Sequence, residues 1–246
     1  MRLNIVVTAH NEGDLLLETI ASIENSVSLS ENISQKDYLK IETFLLFDDP
    51  STDTVDCLNK ISAKWNYEIN IFKDAALNRN SFLGKQKSNE DYLFFIDGDD
   101  KIGLNFVSQV SMFMQKKEEL LTGTEIMHPK TLIYFPNEPE YYVQENSIDL
   151  NGRALNFVNY WAAPSLMRVD VLKKYPYKQT NWKKKRGIED WSFNIDTYFS
   201  NLSHMIIPNT VMFIRKRIDS RGGKEQANFI KPHTSLAFAE YLLKEK

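Results

Sequence analysis

The sequence predicts an α/β fold with a mostly parallel central sheet flanked by helices. Three observations carry that expectation. Strand-length apolar runs alternate with helically spaced apolar residues over roughly the first hundred positions, as parallel sheets with crossover helices require. The runs beginning at Leu3, Ile41 and Asp91 are nearly continuous in apolar residues, the mark of strands buried on both faces. Each of these runs ends in a polar or acidic cluster, and parallel strands put such ends along one edge.

Leu3 to Thr8 reads as the first strand, broken by Thr8-Ala9-His10-Asn11-Glu12-Gly13. From Asp14, Leu16, Ile20, Ile23 and Val27 fall on one helical face, and residues 28–40, rich in Ser, Asn and Lys, read as a surface loop. Ile41 to Phe47 is the second strand, ending in Asp48-Asp49-Pro50-Ser51-Thr52-Asp53. There Ser51 or Thr52 can cap a helix carrying Val55, Leu58 and Ile61. Glu68 to Lys73 alternates and gives a third strand. Asn78 to Asn89 reads as a polar, basic helix, and Asp91 to Asp97 as the fourth strand. Beyond Asn105 come a helix with Phe106, Val110, Phe113 and Met114, and two short strand-like runs, Ile126 to Met127 and Thr131 to Phe135, set off by prolines. A loop over 136–152, an aromatic stretch from Asn156 to Arg168, a helix with Trp191, Ile195 and Tyr198, a strand over Val211 to Ile214 and a tail helix over His233 to Leu243 complete the reading.

At 246 residues the chain can bury a sizeable core. Its net charge of −3 argues against binding nucleic acid by general basicity. No apolar stretch spans a bilayer, and Met1 to Val7 is too short for a signal segment. The lone Cys57 allows no intrachain disulfide, so a reducing cytoplasm is expected, with Cys57 as packing.

The fourth strand ends in Asp97-Gly98-Asp99-Asp100. Carboxylates crowded together at a buried strand end are costly unless cations meet them. Mg²⁺ or Mn²⁺ suits oxygen ligands and needs few from the protein where phosphate oxygens and water complete the shell. Ligands of open α/β sheets bind beyond the carboxyl ends of the strands, where this cluster falls. Asp-Gly is also ordinary turn chemistry, which would explain the same residues without a ligand.

Four motifs in order, Thr8-Ala9-His10-Asn11-Glu12, Asp48-Asp49-Pro50-Ser51-Thr52-Asp53, Asn78-Arg79-Asn80-Ser81-Phe82 and Phe95-Ile96-Asp97-Gly98-Asp99-Asp100, resemble those of family 2 inverting glycosyltransferases with a GT-A fold. The resemblance covers roughly residues 1–105, then Glu189-Asp190 and the basic stretch near Arg217. It departs at His10, where the family usually has an aromatic, and at Pro50 and Phe82, where it has glycine. It implies a metal-dependent sugar transfer from a nucleotide sugar, UDP- or dTDP-linked, to a hydroxyl of a glycan or lipid-linked acceptor. Residues 1–105 would form a nucleotide-sugar half, and residues 106–246 an acceptor half with the C-terminal helix, within one domain.

By the same resemblance Thr8, His10, Glu12, Asp48 and Asp49 lie on the nucleotide side, a carboxylate accepting the base's ring N–H. Arg79 is expected near the nucleotide and phosphates, Asp97 with Gly98 near the ribose, and Asp99 on the metal. Arg217 belongs to a late basic segment that closes over the diphosphate, although an edge strand guarded by cations accounts for it equally. Asp190 is the expected general base and Glu189 the alternative. An acidic helix N-terminus, favoured by the dipole, also explains that pair. Lys183 to Arg186 suggests peripheral contact with an anionic inner-membrane surface or, more simply, a solvated loop. Tyr160, Trp161, Trp182 and Trp191 could form a sugar platform or pack in the core.

Rivals fit less well. A haloacid-dehalogenase-type phosphatase would not carry Asp100-Lys101 after its Asp-x-Asp. An EF-hand would need Gly and Glu where Ile102 and Ser108 stand. A nucleotidyltransferase would carry a Gly-rich basic loop after the first strand. A non-catalytic nucleotide-sugar-binding module remains the alternative that Asp99 and Asp190 argue against.

Overall fold

A computed structural model describes residues 1–33, 38–61, 65–86, 88–136, 139–162, 164–217 and 221–244. The first half runs β1 (Arg2–Ala9), α1 (Leu15–Ile33), β2 (Lys40–Asp48), α2 (Thr52–Asp56), β3 (Asn66–Asn70), α3 (Ala75–Ser81) and β4 (Tyr92–Asp97). Then follow β5 (Lys101–Ile102), α4 (Phe106–Lys117), β6 (Ile126–Phe135), β7 (Glu140–Val143), β8 (Leu166–Arg168) and α5 (Val169–Lys174). The chain ends with β9 (Arg186–Gly187), α6 (Glu189–Phe199), β10 (His204–Arg215), α7 (Arg221–Ala227), β11 (Lys231–Pro232) and α8 (Leu236–Lys244).

Among the described residues the main sheet has nine strands in the order β3-β2-β1-β4-β8-β6-β10-β5, with β7 paired to β6. β3, β2, β1 and β4 are parallel, so the ends of β1, β2 and β4 lie on one edge, with Thr8 opposite Asp97 and Ala9 opposite Phe47. Alternation splits each strand between two layers. Leu3, Ile5 and Val7 of β1 face one cluster with Leu16, Ile20, Phe94 and Phe106, while Val6 faces another with Leu46, Phe95, Met167 and Phe193. Cys57 is buried, and its thiol donates to the Gly13 carbonyl, which accords with packing.

Several elements differ from the sequence expectation. α1 continues to Ile33 through residues read as loop, with Ser30 buried on it. Ser22 Oγ accepts from Ile102 N, and Ser26 Oγ from Val107 N, at the start of α4. Residues 34–37 of that loop lie outside the described residues. α3 begins at the Asp74 cap, where Asp74 Oδ1 accepts from Leu77 N at 3.0 Å, and it buries Asn78 and Arg79, so its polar residues face inward. It gives way to a 3₁₀ turn at Phe82 rather than reaching Asn89.

β3 begins two residues earlier than expected, in the register set by β2. The two runs around Pro129 are one strand. β6 is parallel to β10, and β10 bulges between Ile207 and Val211 beside Pro129, which relieves the ladder where proline offers no N–H. The loop expected over 136–152 contains β7, a hairpin partner that sets Tyr141 and Tyr142 opposite Ile133 and Leu132. No helix among the described residues is long and apolar enough to cross a membrane.

Candidate active site

The convergent strand ends make a connected polar wall. Thr8 Oγ1 donates to Asp97 Oδ1 at 2.9 Å, and Arg79 Nη2 donates to the same oxygen at 2.6 Å. Arg79 Nη1 donates to Glu189 Oε1 at 2.9 Å, tying α3 and β4 to the first turn of α6. Burial opposes charge on Arg79, but Asp97 and Glu189 overcome it and raise its proton affinity, so the guanidinium stays cationic inside the protein. The arginine expected beside phosphates is thus engaged by two carboxylates.

Gly98 closes the turn after β4. Its N–H donates to the Thr8 carbonyl at 2.8 Å. A Cβ there would sit 3.1 Å from that carbonyl and 3.2 Å from Glu12 Cγ, tighter than ordinary contact. Asp99 is buried next to it, paired with Arg217 Nε at 3.0 Å, while Arg217 also lies 3.8 Å from Glu12. Burial and the neighbouring Asp97 push the Asp99 carboxyl up to about 6, against the pull of Arg217. Burial likewise raises Glu12, whose carboxylate accepts from His10 N. Asp100 serves the fold, since its Oδ1 accepts from Arg215 N at 2.8 Å and fastens β10 to the acidic turn. Asp219 and Ser220, near Arg217 in sequence, lie outside the described residues.

Both Asp48 oxygens accept backbone N–H groups, from Lys73 and Asp74, each at 2.8 Å. Asp49 stands at φ 49°, in the left-handed region, and its carboxylate pairs with Lys73 Nζ at 3.1 Å. His10 is exposed, and its Nδ1 donates to the Asp48 carbonyl at 2.6 Å.

Across the sheet edge, Ile188 precedes Glu189-Asp190 at φ 55°, ψ 74°. A β-branched residue in the left-handed region is strained, and such strain persists where surroundings impose it, often at functional sites. Asp190 borders a cleft of about 390 Å³ with Tyr134, Tyr142, Asn159 and Trp161. Burial and the adjacent Glu189 push its carboxyl up to about 7, against Trp191 N–H and Arg79. Asn159 Nδ2 donates to Asp190 Oδ2 at 3.0 Å and is itself held by Asn194 Nδ2 at 3.0 Å. Burial, and after it Asp190 and Asp100, raise the hydroxyl pKa of Tyr134, which lines the cleft.

The sequence reading did not single out Asn159, Tyr134 or Tyr142. The tyrosines lay on or beside a stretch read as loop, and a lone Asn carries no signal. Of the four aromatics weighed as a platform or as core, Tyr160, Trp161 and Trp191 share one packed apolar cluster. Trp161 is buried, stacked on His204 at 4.0 Å, Trp191 donates to the Leu155 carbonyl at 2.6 Å, and Trp182 stands half exposed on a turn.

The family model described as "Glycosyl transferase family 2" matches residues 4–176, well over half of the chain. The chain belongs to glycosyl transferase family 2. Among solved structures, this family 2 chain resembles Staphylococcus aureus TarS 1–349 in complex with UDP-GlcNAc, with TM-score 0.63 and 16% identity over 91% of this chain and 61% of that one. It also resembles GalNAc-T7 with UDP, GalNAc and Mn²⁺, with TM-score 0.62 and 14% identity over 89% of this chain and 44% of that one. At such identities the likeness is one of fold, the GT-A fold, and the chain spans 61% or less of those two proteins' lengths. No curated protein matches the sequence.

Proposed function

We propose that this chain transfers a sugar, with inversion and with Mn²⁺ or Mg²⁺, from a UDP- or dTDP-linked donor to a hydroxyl of a glycan or lipid-linked acceptor. The observation that carries the reading is the Arg79 bridge. One buried cation joins Asp97, at the donor-side strand end, to Glu189, beside the cleft that Asp190 borders. Structural neighbours that hold UDP-GlcNAc, or UDP with Mn²⁺, favour the same donor class.

No group of three or more His, Cys, Asp or Glu fit to hold a metal occurs among the described residues. The chemistry of Asp99 still fits a hard cation whose shell is completed by the donor's diphosphate. It is an oxygen ligand whose charge burial and Asp97 make costly. Asp99 would hold the cation, with Asp97 beside it. The ion supplies positive charge to the leaving diphosphate. Arg217, now paired with Asp99 and Glu12, would turn toward the phosphates.

Asp190 would take the proton of the acceptor hydroxyl as its oxygen bonds to the anomeric carbon. The bond from that carbon to the diphosphate oxygen breaks on the opposite face, and its electron pair leaves with the diphosphate. Asn159 holds the Asp190 carboxylate in place. The lone Cys57 accords with a cytoplasmic setting.

Two expectations test the donor side. Asp99→Ala should lose the Mn²⁺-dependent part of UDP binding in calorimetry while keeping its melting temperature near that of the parent chain. Binding unchanged by the substitution would reject Asp99 as the metal ligand. UDP should also bind better than ADP, because a carboxylate can accept the ring N–H of uracil and adenine offers none. Asp49 is the freer of the two carboxylates for that role, so Asp49→Ala should narrow the UDP–ADP difference. A preference for ADP would overturn it.

A further inference from the structure

Two adjoining segments, 181–186 and 224–231, form a cationic island on a chain of net charge −3. Asn181 and Arg186 close a tight hairpin, and β11 runs parallel to β9 beside it. Lys231 N donates to the Lys185 carbonyl at 3.1 Å, and Lys185 Nζ lies 6.0 Å from the centre of the Phe229 ring. Lys183, Lys184, Lys185, Lys224 and Lys231 are all exposed. None of them forms a salt bridge within the described residues. The one carboxylate of the two segments, Glu225, is buried and accepts from Thr180 Oγ1 at 2.8 Å, so it does not neutralise the surface. Two large aromatics stand among these lysines, Trp182 at 49% and Phe229 at 73% exposure.

We propose that this face docks the protein on an anionic lipid bilayer. Lysines with no salt bridge among the described residues, set around protruding Trp and Phe, match such an interface chemically. The lysines meet the headgroup charge, and the rings enter the boundary below it. A polyanion in solution would use the lysines but give the aromatics nothing to enter. The position adds a consequence, which rests on the glycosyltransferase reading. β9 leads through Ile188 directly into Glu189 and Asp190, so a docked hairpin holds the acceptor side close to the membrane, where a lipid-linked acceptor resides.

The test is sedimentation of the full chain with vesicles of phosphatidylcholine alone or mixed with phosphatidylglycerol. Binding is expected only to the mixed vesicles and should weaken with added salt. Each lysine near an anionic leaflet is worth about fivefold in partitioning, so Lys183→Gln, Lys184→Gln and Lys185→Gln together should reduce it about 10²-fold. Trp182→Ala with Phe229→Ala should also reduce it, at unchanged melting temperature, since these side chains are exposed. Transfer to a water-soluble acceptor, and UDP binding, should remain as in the parent chain for both sets. Absence of vesicle binding overturns the proposal, as does binding insensitive to the aromatics. Soluble polyphosphate retained through the lysines alone would overturn it too, marking the island as a site for a charged polymer. Vesicle binding is read without turnover, so its failure is distinct from failure of the transferase reading.

Discussion

Asp190→Asn is expected to leave donor affinity nearly unchanged and to slow transfer about 10²–10⁴-fold, the range of a positioned general base. The substitution keeps the shape of the side chain, and its oxygen can still accept from Asn159 Nδ2. What it removes is basicity at a group whose carboxyl is pushed up to about 7. The parent rate should therefore rise with pH up to about 7 and then level, as the carboxyl loses its proton, and the variant should lack that rise. Stability gives an independent sign. A carboxyl with proton affinity raised by folding contributes most stability below its unfolded value, near 3.8, and loses it as pH climbs through about 7. The variant's melting temperature should accordingly gain on the parent's between about pH 4 and 7. An acidic residue that merely capped α6 through the helix dipole would give the reverse, a variant weakened at neutral pH with near-normal turnover. Product stereochemistry is a further check, since a base opposite the leaving group requires inversion. A fully active variant or a retained anomer would remove Asp190 and leave Glu189 as the next candidate.

The framework of β1, β2 and β4 was legible because its physics is local. β1, β2 and β4 are buried on both faces, so their apolar runs stand out, and parallel pairing dictates that Thr8, Asp48 and Asp97 share an edge. The second half of the chain depends on long-range partners that leave no period in the sequence. β7 is short and exposed and exists through its pairing with β6. Pro129 reads as a strand breaker unless the opposing bulge in β10 is known. Ser30 falls in the stretch read as loop but is buried on α1. Asn159 gains its role from Asp190 and Asn194, more than thirty residues away, and nothing near it in sequence announces that. Arg79 was found by motif, yet its burial and its second carboxylate, Glu189, follow only from the packing of α3 against α6.

Arg79→Met should cost about 3–5 kcal/mol of stability, the usual penalty for removing one partner of a buried ion pair. Met replaces the apolar stem, so packing is largely kept and the loss is electrostatic. Without the guanidinium, the buried Glu189 loses its ion pair with Arg79, and Asp97 Oδ1 loses one of its two donors among the described residues. That cost is large against the 5–15 kcal/mol that holds a typical domain together, so the denaturation midpoint should move visibly without a change in slope. The second arm is Glu189→Gln in the same chain. Gln removes the charge that Arg79 had paired and keeps a polar tip, so the double variant should recover a good part of the loss. The two substitutions should be strongly non-additive, with a coupling of about 0.5–3 kcal/mol. If Arg79 acted only on the donor's phosphates, the single variant would hold its stability and lose UDP affinity, and Glu189→Gln would restore nothing. Equilibrium denaturation of the parent, both singles and the double, together with UDP titration of each, therefore separates a bridge that builds the site from an arginine that only binds phosphate.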